Sequence, residues 1–201
     1  MNVVDPILFQ CRWQPFALAL CAPGTIFNTV TYGRLAQMIH NVGRNAREHG
    51  LVRGNMAALL IKDPILHAAF ILGLTKIGVV PVSPRELILP KELRVDAIFA
   101  DASCSLGDQH ATVIDKNWTM GAGVPSDDGA QADSSDDEPC RIVLTSGTTG
   151  HPKATVRTTR LVYARLQRFQ TVYGSRFPEC SRIFIDVGMA TGKNAMLVSS
   201  N

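Results

Sequence analysis

From Met56 to Val82 the chain alternates between runs that suit buried strands and a run that suits a helix. Met56 to Ile61 is almost wholly apolar and short, the pattern of a strand buried on both faces. Asp63-Pro64 then supplies a helix cap and a first-turn proline whose missing N–H costs nothing. The Ile/Leu/Ala-rich stretch that follows reads as helix to about Ile77, Gly78 ends it, and Val79 to Val82 reads as a second buried strand. Strand, helix, strand in that order requires parallel strands joined by a crossover helix. The fold class expected is therefore α/β, with a mostly parallel sheet and flanking helices.

The flanks extend this reading. Ala17 to Cys21 and Phe27 to Val30 form two short strands around the Ala22-Pro23-Gly24 turn. Thr31 is placed to cap a helix in which Leu35, Met38, Ile39, Val42 and Ala46 recur at three- and four-residue spacing, with Gly50 as its stop. Val95 to Ala100, Ala111 to Ile114, Arg141 to Leu144 and Arg182 to Asp186 are further strand candidates, and Leu161 to about Val172 suits a helix. Gly121 to Pro139 has hardly an apolar side chain and holds six acids (Asp127, Asp128, Asp133, Asp136, Asp137, Glu138), so it reads as an exposed loop. The division that follows is an α/β subdomain over residues 1–120, an acidic flexible loop over 121–139, and a segment 140–201 that begins a further subdomain.

Composition excludes several classes. The 201 residues carry a net charge of +3 without any Lys/Arg run interleaved with aromatics, so no nucleic-acid face is expected. Five cysteines (Cys11, Cys21, Cys104, Cys140, Cys180) lie far apart with no C-x-x-C pair, which argues against a disulfide framework and a zinc site. The five histidines likewise show no metal-ligand spacing, and no metal ligands are assigned. Ile7 to Ala22 is apolar, but Asp5 precedes it and Arg12, Gln14 and Pro15 interrupt it, against a secretory signal. No stretch reaches membrane-spanning length. A cytoplasmic protein with reduced thiols is expected.

Chemistry concentrates in Ile142-Val143-Leu144-Thr145-Ser146-Gly147-Thr148-Thr149-Gly150-His151-Pro152-Lys153-Ala154. An apolar strand enters a loop with two glycines and four hydroxyls, followed by a lysine. Glycines let the main chain approach a ligand, and successive N–H groups in such a turn form an anion nest. The hydroxyls of Thr145, Ser146, Thr148 and Thr149 add rotatable donors, and Lys153 adds a compact charge suited to polyphosphate. Gly188 to Lys193 is a weaker echo of a phosphate loop: its glycine spacing is short, and Asn194 stands where Ser or Thr would bind Mg²⁺. Cys140 has no base nearby in sequence and reads as a small buried hydrophobe.

The ordered string Thr-Ser-Gly-Thr-Thr-Gly-x-Pro-Lys resembles, residue for residue, the phosphate-binding signature of the adenylate-forming (AMP-binding) superfamily, which includes acyl-CoA synthetases. Thr31-Tyr32-Gly33-Arg34-Leu35, Ala68 to Pro81, and Asp115-x-x-Trp118, read near a short strand end, resemble outer segments of that family in the right order. The resemblance implies an incomplete, amino-terminal part of an acyl-CoA-synthetase-like fold. It implies a ligase that joins a carboxylic acid to ATP, releases pyrophosphate, and passes the acyl group to a thiol such as coenzyme A, with Mg²⁺ accompanying the nucleotide. Thr145, Ser146, Gly147, Thr148, Thr149, Gly150 and Lys153 are the expected phosphate contacts, and no catalytic residue is assigned. Asp186 to Asn194 departs from the family's aromatic or histidine-bearing acyl segment, which leaves the acid open. The family's adenine-binding segment, ribose-binding aspartate and carboxy-terminal lysine have no counterpart before Asn201, so this piece alone is expected to be silent. Two other readings stay open: a non-catalytic nucleotide- or partner-binding domain, and a phosphotransferase, which the extended Ala154 to Arg157 run disfavours. An incomplete sheet with bare edges also leads to the expectation of a homodimer.

Overall fold

Helix starts and stops are set by single residues. The computed structural model describes residues 2–84, 88–90, 92–106, 109–121, 135–145, 153–169 and 171. Helix α1 (Asp5–Trp13) opens with Pro6 in its first turn, and the Asp5 carboxylate accepts from the Asn2 amide at 2.7 Å. Strands β1 (Leu18–Cys21) and β2 (Thr29–Thr31) pair antiparallel around a turn in which Gly24 adopts φ +80°. The Thr31 hydroxyl caps α2 (Tyr32–Glu48) by accepting from the Arg34 amide at 3.3 Å. After β3 (Met56–Leu60), Asp63 caps α3 (Pro64–Lys76) through the Leu66 amide at 2.8 Å. Its other carboxylate oxygen accepts from the Ile26 amide at 2.9 Å, tying the β1/β2 hairpin to the start of α3. Gly78, at φ +80°, turns the chain into β4 (Val80–Ser83).

The remaining elements are β5 (Ala97–Ala100), a separate two-stranded hairpin of β6 (Ser105–Leu106) and β7 (Gln109–His110), β8 (Thr112–Val113), β9 (Pro139–Thr145) and β10 (Lys153–Thr158), followed by α4 (Thr159–Phe169). Six strands form the main sheet in the order β10-β9-β4-β3-β5-β8, all parallel except the β9/β10 pair. The mostly parallel α/β arrangement read from the sequence is thus the one observed, and β9 lies beside β4 in the same sheet as β3 and β5.

Helix α3 is buried from Ile65 to Thr75, hydrophobic on every side because α2 covers one face and the sheet the other. The larger core joins Val42, Leu59, Phe70, Phe99 and Ile114 with the half-buried Trp118, whose ring lies 5.6 Å from Phe70 and 5.3 Å from Phe99. A second cluster under the hairpin joins Val4, Ile7 and Cys11 of the amino terminus to Leu35, Ile39 and Leu72.

Three local features go beyond the reading of the sequence. Helix α1 (Asp5–Trp13) overlaps the Ile7 to Ala22 run, whose apolar composition and Pro15 break disguised it. Asp115-x-x-Trp118 follows the end of β8 and forms a 3-10 turn over Lys116–Thr119, which the Asp115 side chain caps by accepting from the Asn117 amide at 2.8 Å. The acidic stretch is anchored at its described end: Glu138 pairs with Arg53 at 2.6 Å and Asp137 with Arg160 at 2.8 Å. The remaining acids Asp127, Asp128 and Asp133, the Arg182 to Asp186 candidate strand, Cys180 and Gly188 to Lys193 lie outside the described residues. Cys11 and Cys140 are buried, Cys104 partly so, and Cys21 is exposed. Among the described residues no helix is long and apolar enough to cross a membrane.

Gly73 is the point of closest approach between α2 and α3. A Cβ there would lie 2.7 Å from the Val42 side chain and 2.9 Å from the Ile39 carbonyl oxygen. Gly73→Ala is expected to destabilise the fold by ~1–3 kcal/mol through forced separation of the two helices, read as a lower midpoint in urea unfolding; an unchanged midpoint refutes this packing account.

Candidate functional site

The glycine- and hydroxyl-rich loop is suspended between two strands that pair with each other. Ile142 and Val143 of β9 are buried, and the strand runs parallel to β4, with Val82 opposite Ile142 and Ser83 opposite Val143. β9 therefore delivers Thr145 to the carboxyl edge of the parallel strands, where open α/β sheets bind ligands. β10 returns antiparallel from that edge, and its first residue, Lys153, is the Cα partner of Thr145. Two of the seven expected phosphate contacts are thus brought together as neighbours at the mouth of the loop. Ser146, Gly147, Thr148, Thr149 and Gly150 lie outside the described residues, as do His151 and Pro152. The exposed Lys153 places its charge beside the loop's entrance, an arrangement that fits an anionic polyphosphate. Among the described residues no three His, Cys, Asp or Glu side chains gather as a metal site.

Beneath this edge lies a buried polar network that sequence reasoning did not single out. His67 sits in the apolar α3 run with Nδ1 2.9 Å from the Ile61 carbonyl oxygen and Nε2 3.0 Å from Ser83 Oγ. A carbonyl only accepts, so Nδ1 carries the proton and Nε2 accepts from the Ser83 hydroxyl. Arg141 of β9 then directs a guanidinium nitrogen to Ser83 Oγ at 3.5 Å. Burial pushes the His67 pKa down to about 4, the Ile61 hydrogen bond opposes that shift, and the Arg141 charge adds to it. The neutral imidazole is the form the network requires. One sign was visible beforehand: a lone polar ring inside an otherwise apolar helix must find partners or stay unburied. Cys140, as expected, is a buried thiol, its pKa raised by burial, and it donates to the Arg157 carbonyl at 3.3 Å.

Comparison with known proteins gives a consistent result. A family model described as "AMP-binding enzyme" matches residues 10–199. The chain is 28% identical to a 3-hydroxybenzoate–CoA ligase of Aromatoleum sp. (strain CIB), over 98% of this chain and 42% of that protein. It is 27% identical to a 4-chlorobenzoate–CoA ligase of Arthrobacter sp., over 85% of this chain and 36% of that protein. Among solved structures, the complex of VinN with L-aspartate superposes with a TM-score of 0.70 at 19% identity, covering 87% of this chain and 48% of that one; that likeness concerns the fold. The chain thus spans less than half the length of these relatives.

Because His67 is held neutral in the folded state and titrates near 6.5 when unfolded, the unfolded chain binds the extra proton between those two values. Stability is expected to be complete above about pH 6.5 and to fall by ~3 kcal/mol as pH drops toward 4. His67→Gln removes that titration, so its urea midpoint should depend less steeply on pH over this window than that of the unaltered protein. Parallel pH profiles for the two proteins would show that His67 contributes nothing to acid sensitivity.

Proposed function

The chain belongs to the AMP-binding enzyme family, and on that premise we propose that it is the amino-terminal part of an ATP-dependent acid–thiol ligase of the acyl-CoA-synthetase kind. In the proposed reaction a substrate carboxylate attacks the α-phosphorus of ATP, the bond to the β-phosphate oxygen breaks, and pyrophosphate leaves. The resulting acyl-adenylate then loses AMP to a thiol, for which coenzyme A is the candidate. The observation that carries this reading is the ordered Thr145 to Lys153 signature whose two ends are paired neighbours at the carboxyl edge of the sheet.

Charge accumulates on the departing pyrophosphate, so donors already aimed at it lower the barrier. In this reading the N–H groups and hydroxyls over Thr145, Ser146, Gly147, Thr148, Thr149 and Gly150 take the outer phosphates, and Lys153 neutralises and positions them. Mg²⁺ arriving with the nucleotide supplies further neutralisation of the phosphate oxygens. The acid class is taken from the relatives' names, which puts benzoates first in a substrate panel. The division at 121–139, the cytoplasmic location and a homodimer belong to the same proposal. The homodimer draws on exposed apolar side chains including Trp13 and the 93% exposed Phe16.

Carboxylate-dependent exchange of pyrophosphate into ATP tests the proposal in the protein at its full natural length. Lys153→Ala is expected to slow exchange by ~100-fold or more while leaving the unfolding midpoint nearly unchanged. Exchange that proceeds at the unaltered rate in Lys153→Ala overturns the role given to the loop. Residues 1–201 alone are expected to give no exchange, since they span 42% of a relative that carries out the whole reaction by name. The alternative, a non-catalytic nucleotide- or partner-binding domain, is favoured by the departure over Asp186 to Asn194; ATP binding without exchange for any acid in the panel would select it.

A further inference from the structure

Helix α1 turns an aromatic face to solvent. Ile7 and Cys11 are buried against the α2/α3 seam, while Phe9 and Trp13, one turn apart, are 62% and 72% exposed. Their ring centroids lie 6.3 Å apart at an interplanar angle of 7°, a stacked pair held in place on the surface. Phe16 follows three residues later at 93% exposure, its Cα no more than about 11 Å from that of Trp13. Single exposed apolar side chains need no explanation, but three aromatics between Phe9 and Phe16 crowd one corner of the molecule.

The sheet offers any further chain a different surface to cover. Leu59 and Phe99 are Cα partners that project toward Phe70 of α3. Ala58, next to Leu59, is the Cα partner of Val82, which in turn pairs with Ile142, so Val82 and Ile142 project from the opposite face. The described apolar side chains that pack there from outside the strands are Leu89, Leu93 and Val95. Parallel sheets are covered on both faces, so that side, and not the outside of α1, is where additional chain is drawn. A lipid surface fits α1 poorly, because the helix carries one acid, Asp5, and one base, Arg12, where an interfacial helix is rich in Lys and Arg.

We propose that the outer face of α1 joins two copies of this chain, helix against helix, about a two-fold axis near Phe9. A two-fold dimer buries the same patch on both copies, so the patch must complement itself. At ~100° per residue, Asp5, Phe9, Arg12 and Trp13 fall within about 100° of the helix surface. Phe9 is the middle residue of this nine-residue helix. An antiparallel partner therefore sets ring against ring at the axis and brings the acidic start of one helix to the basic end of the other. That sign pattern acts at a distance and requires neither Asp5 nor Arg12 to give up a bond within its own copy. At the usual size of such side chains the three aromatics expose on the order of 450 Å², or ~900 Å² over two copies. Adjoining surface carries this to the ~1,000 Å² at which specific interfaces begin, and Trp and Phe are enriched at their centres. The surface deepens the homodimer reading above and does not depend on the ligase reaction.

Analytical ultracentrifugation of the full-length protein across a concentration series tests it. The unaltered protein is expected to sediment as a dimer that dissociates on dilution. Phe9→Glu combined with Trp13→Glu is expected to raise the dimer dissociation constant about tenfold or more. Both side chains are exposed, so the unfolding midpoint of the dilute monomer should change little. Phe16→Glu alone should weaken the dimer to a smaller degree. Iodide quenching due to Trp13, taken as the difference from Trp13→Phe, should be strong in the dilute monomer and fall as the dimer forms. Quenching already absent in the dilute monomer means that the chain's own remainder covers this face, and it overturns the proposal. A dimer that persists undiminished in the Phe9/Trp13 double variant overturns this surface while leaving the homodimer standing; a protein that is monomeric at every concentration overturns both. Binding of a monomeric protein to phosphatidylserine-containing vesicles that is lost in the same double variant assigns the face to lipid and overturns the proposal as well.

Discussion

Helix α3 has almost no surface on which to place a polar side chain, and the rest of the domain is organised by that fact. Residues Ile65 to Thr75 are all buried, so the helix needs a layer on each side. The sheet provides one through Leu59 and Phe99, and α2 provides the other through Val42 and Ile39. A side chain at position 73 would hold those layers apart, and glycine lets Val42 settle onto the helix backbone. The amino-terminal segment follows from the same demand. Val4, Ile7 and Cys11 cover Leu72 and Leu35, which would otherwise face water at the end of the α2/α3 seam.

The packed seam also explains why a polar network survives beside the loop. Once α3 is sealed, a histidine in its first turns has only protein to bond with, and Ile61 and Ser83 are within reach at the ends of β3 and β4. Ser83 is fully buried and Arg141 reaches it from β9, so three strands and a helix are linked at the level from which Thr145 emerges. Such links fix the relative heights of β4 and β9, and hence where the β9/β10 hairpin opens. The network stabilises in the uncharged imidazole form, because protonation would place a second positive charge, on a buried ring, beside Arg141.

The charge distribution of the carboxy-terminal described region has a related logic. Lys153, Arg157, Arg160, Arg165 and Arg168 succeed one another through β10 and α4, while the acids of 136–138 precede β9. Folding β9 against β10 brings Asp137 to Arg160 and sets Arg141 opposite Arg157 in the ladder. A basic corner on a modestly charged chain is therefore a consequence of strand register, not of composition.

Periodicity and punctuation alone determined much of the domain. The caps at Thr31 and Asp63, the stops at Gly50 and Gly78, and the β3-α3-β4 crossover were legible because each depends on neighbours within a few residues. The signature from Thr145 to Lys153 was legible for the same reason, as a local string that binds through its own backbone. What only tertiary structure decided were the features that need distant partners. Helix α1 exists because Ile7 and Cys11 find α2, and the Trp118 ring takes its place because it packs against Phe70 and Phe99. The His67–Ser83–Arg141 network and the Arg141/Arg157 pairing join residues 16 to 74 positions apart on the chain. No local window contains both members of such a pair, and only the strand order and register of the folded sheet bring them together.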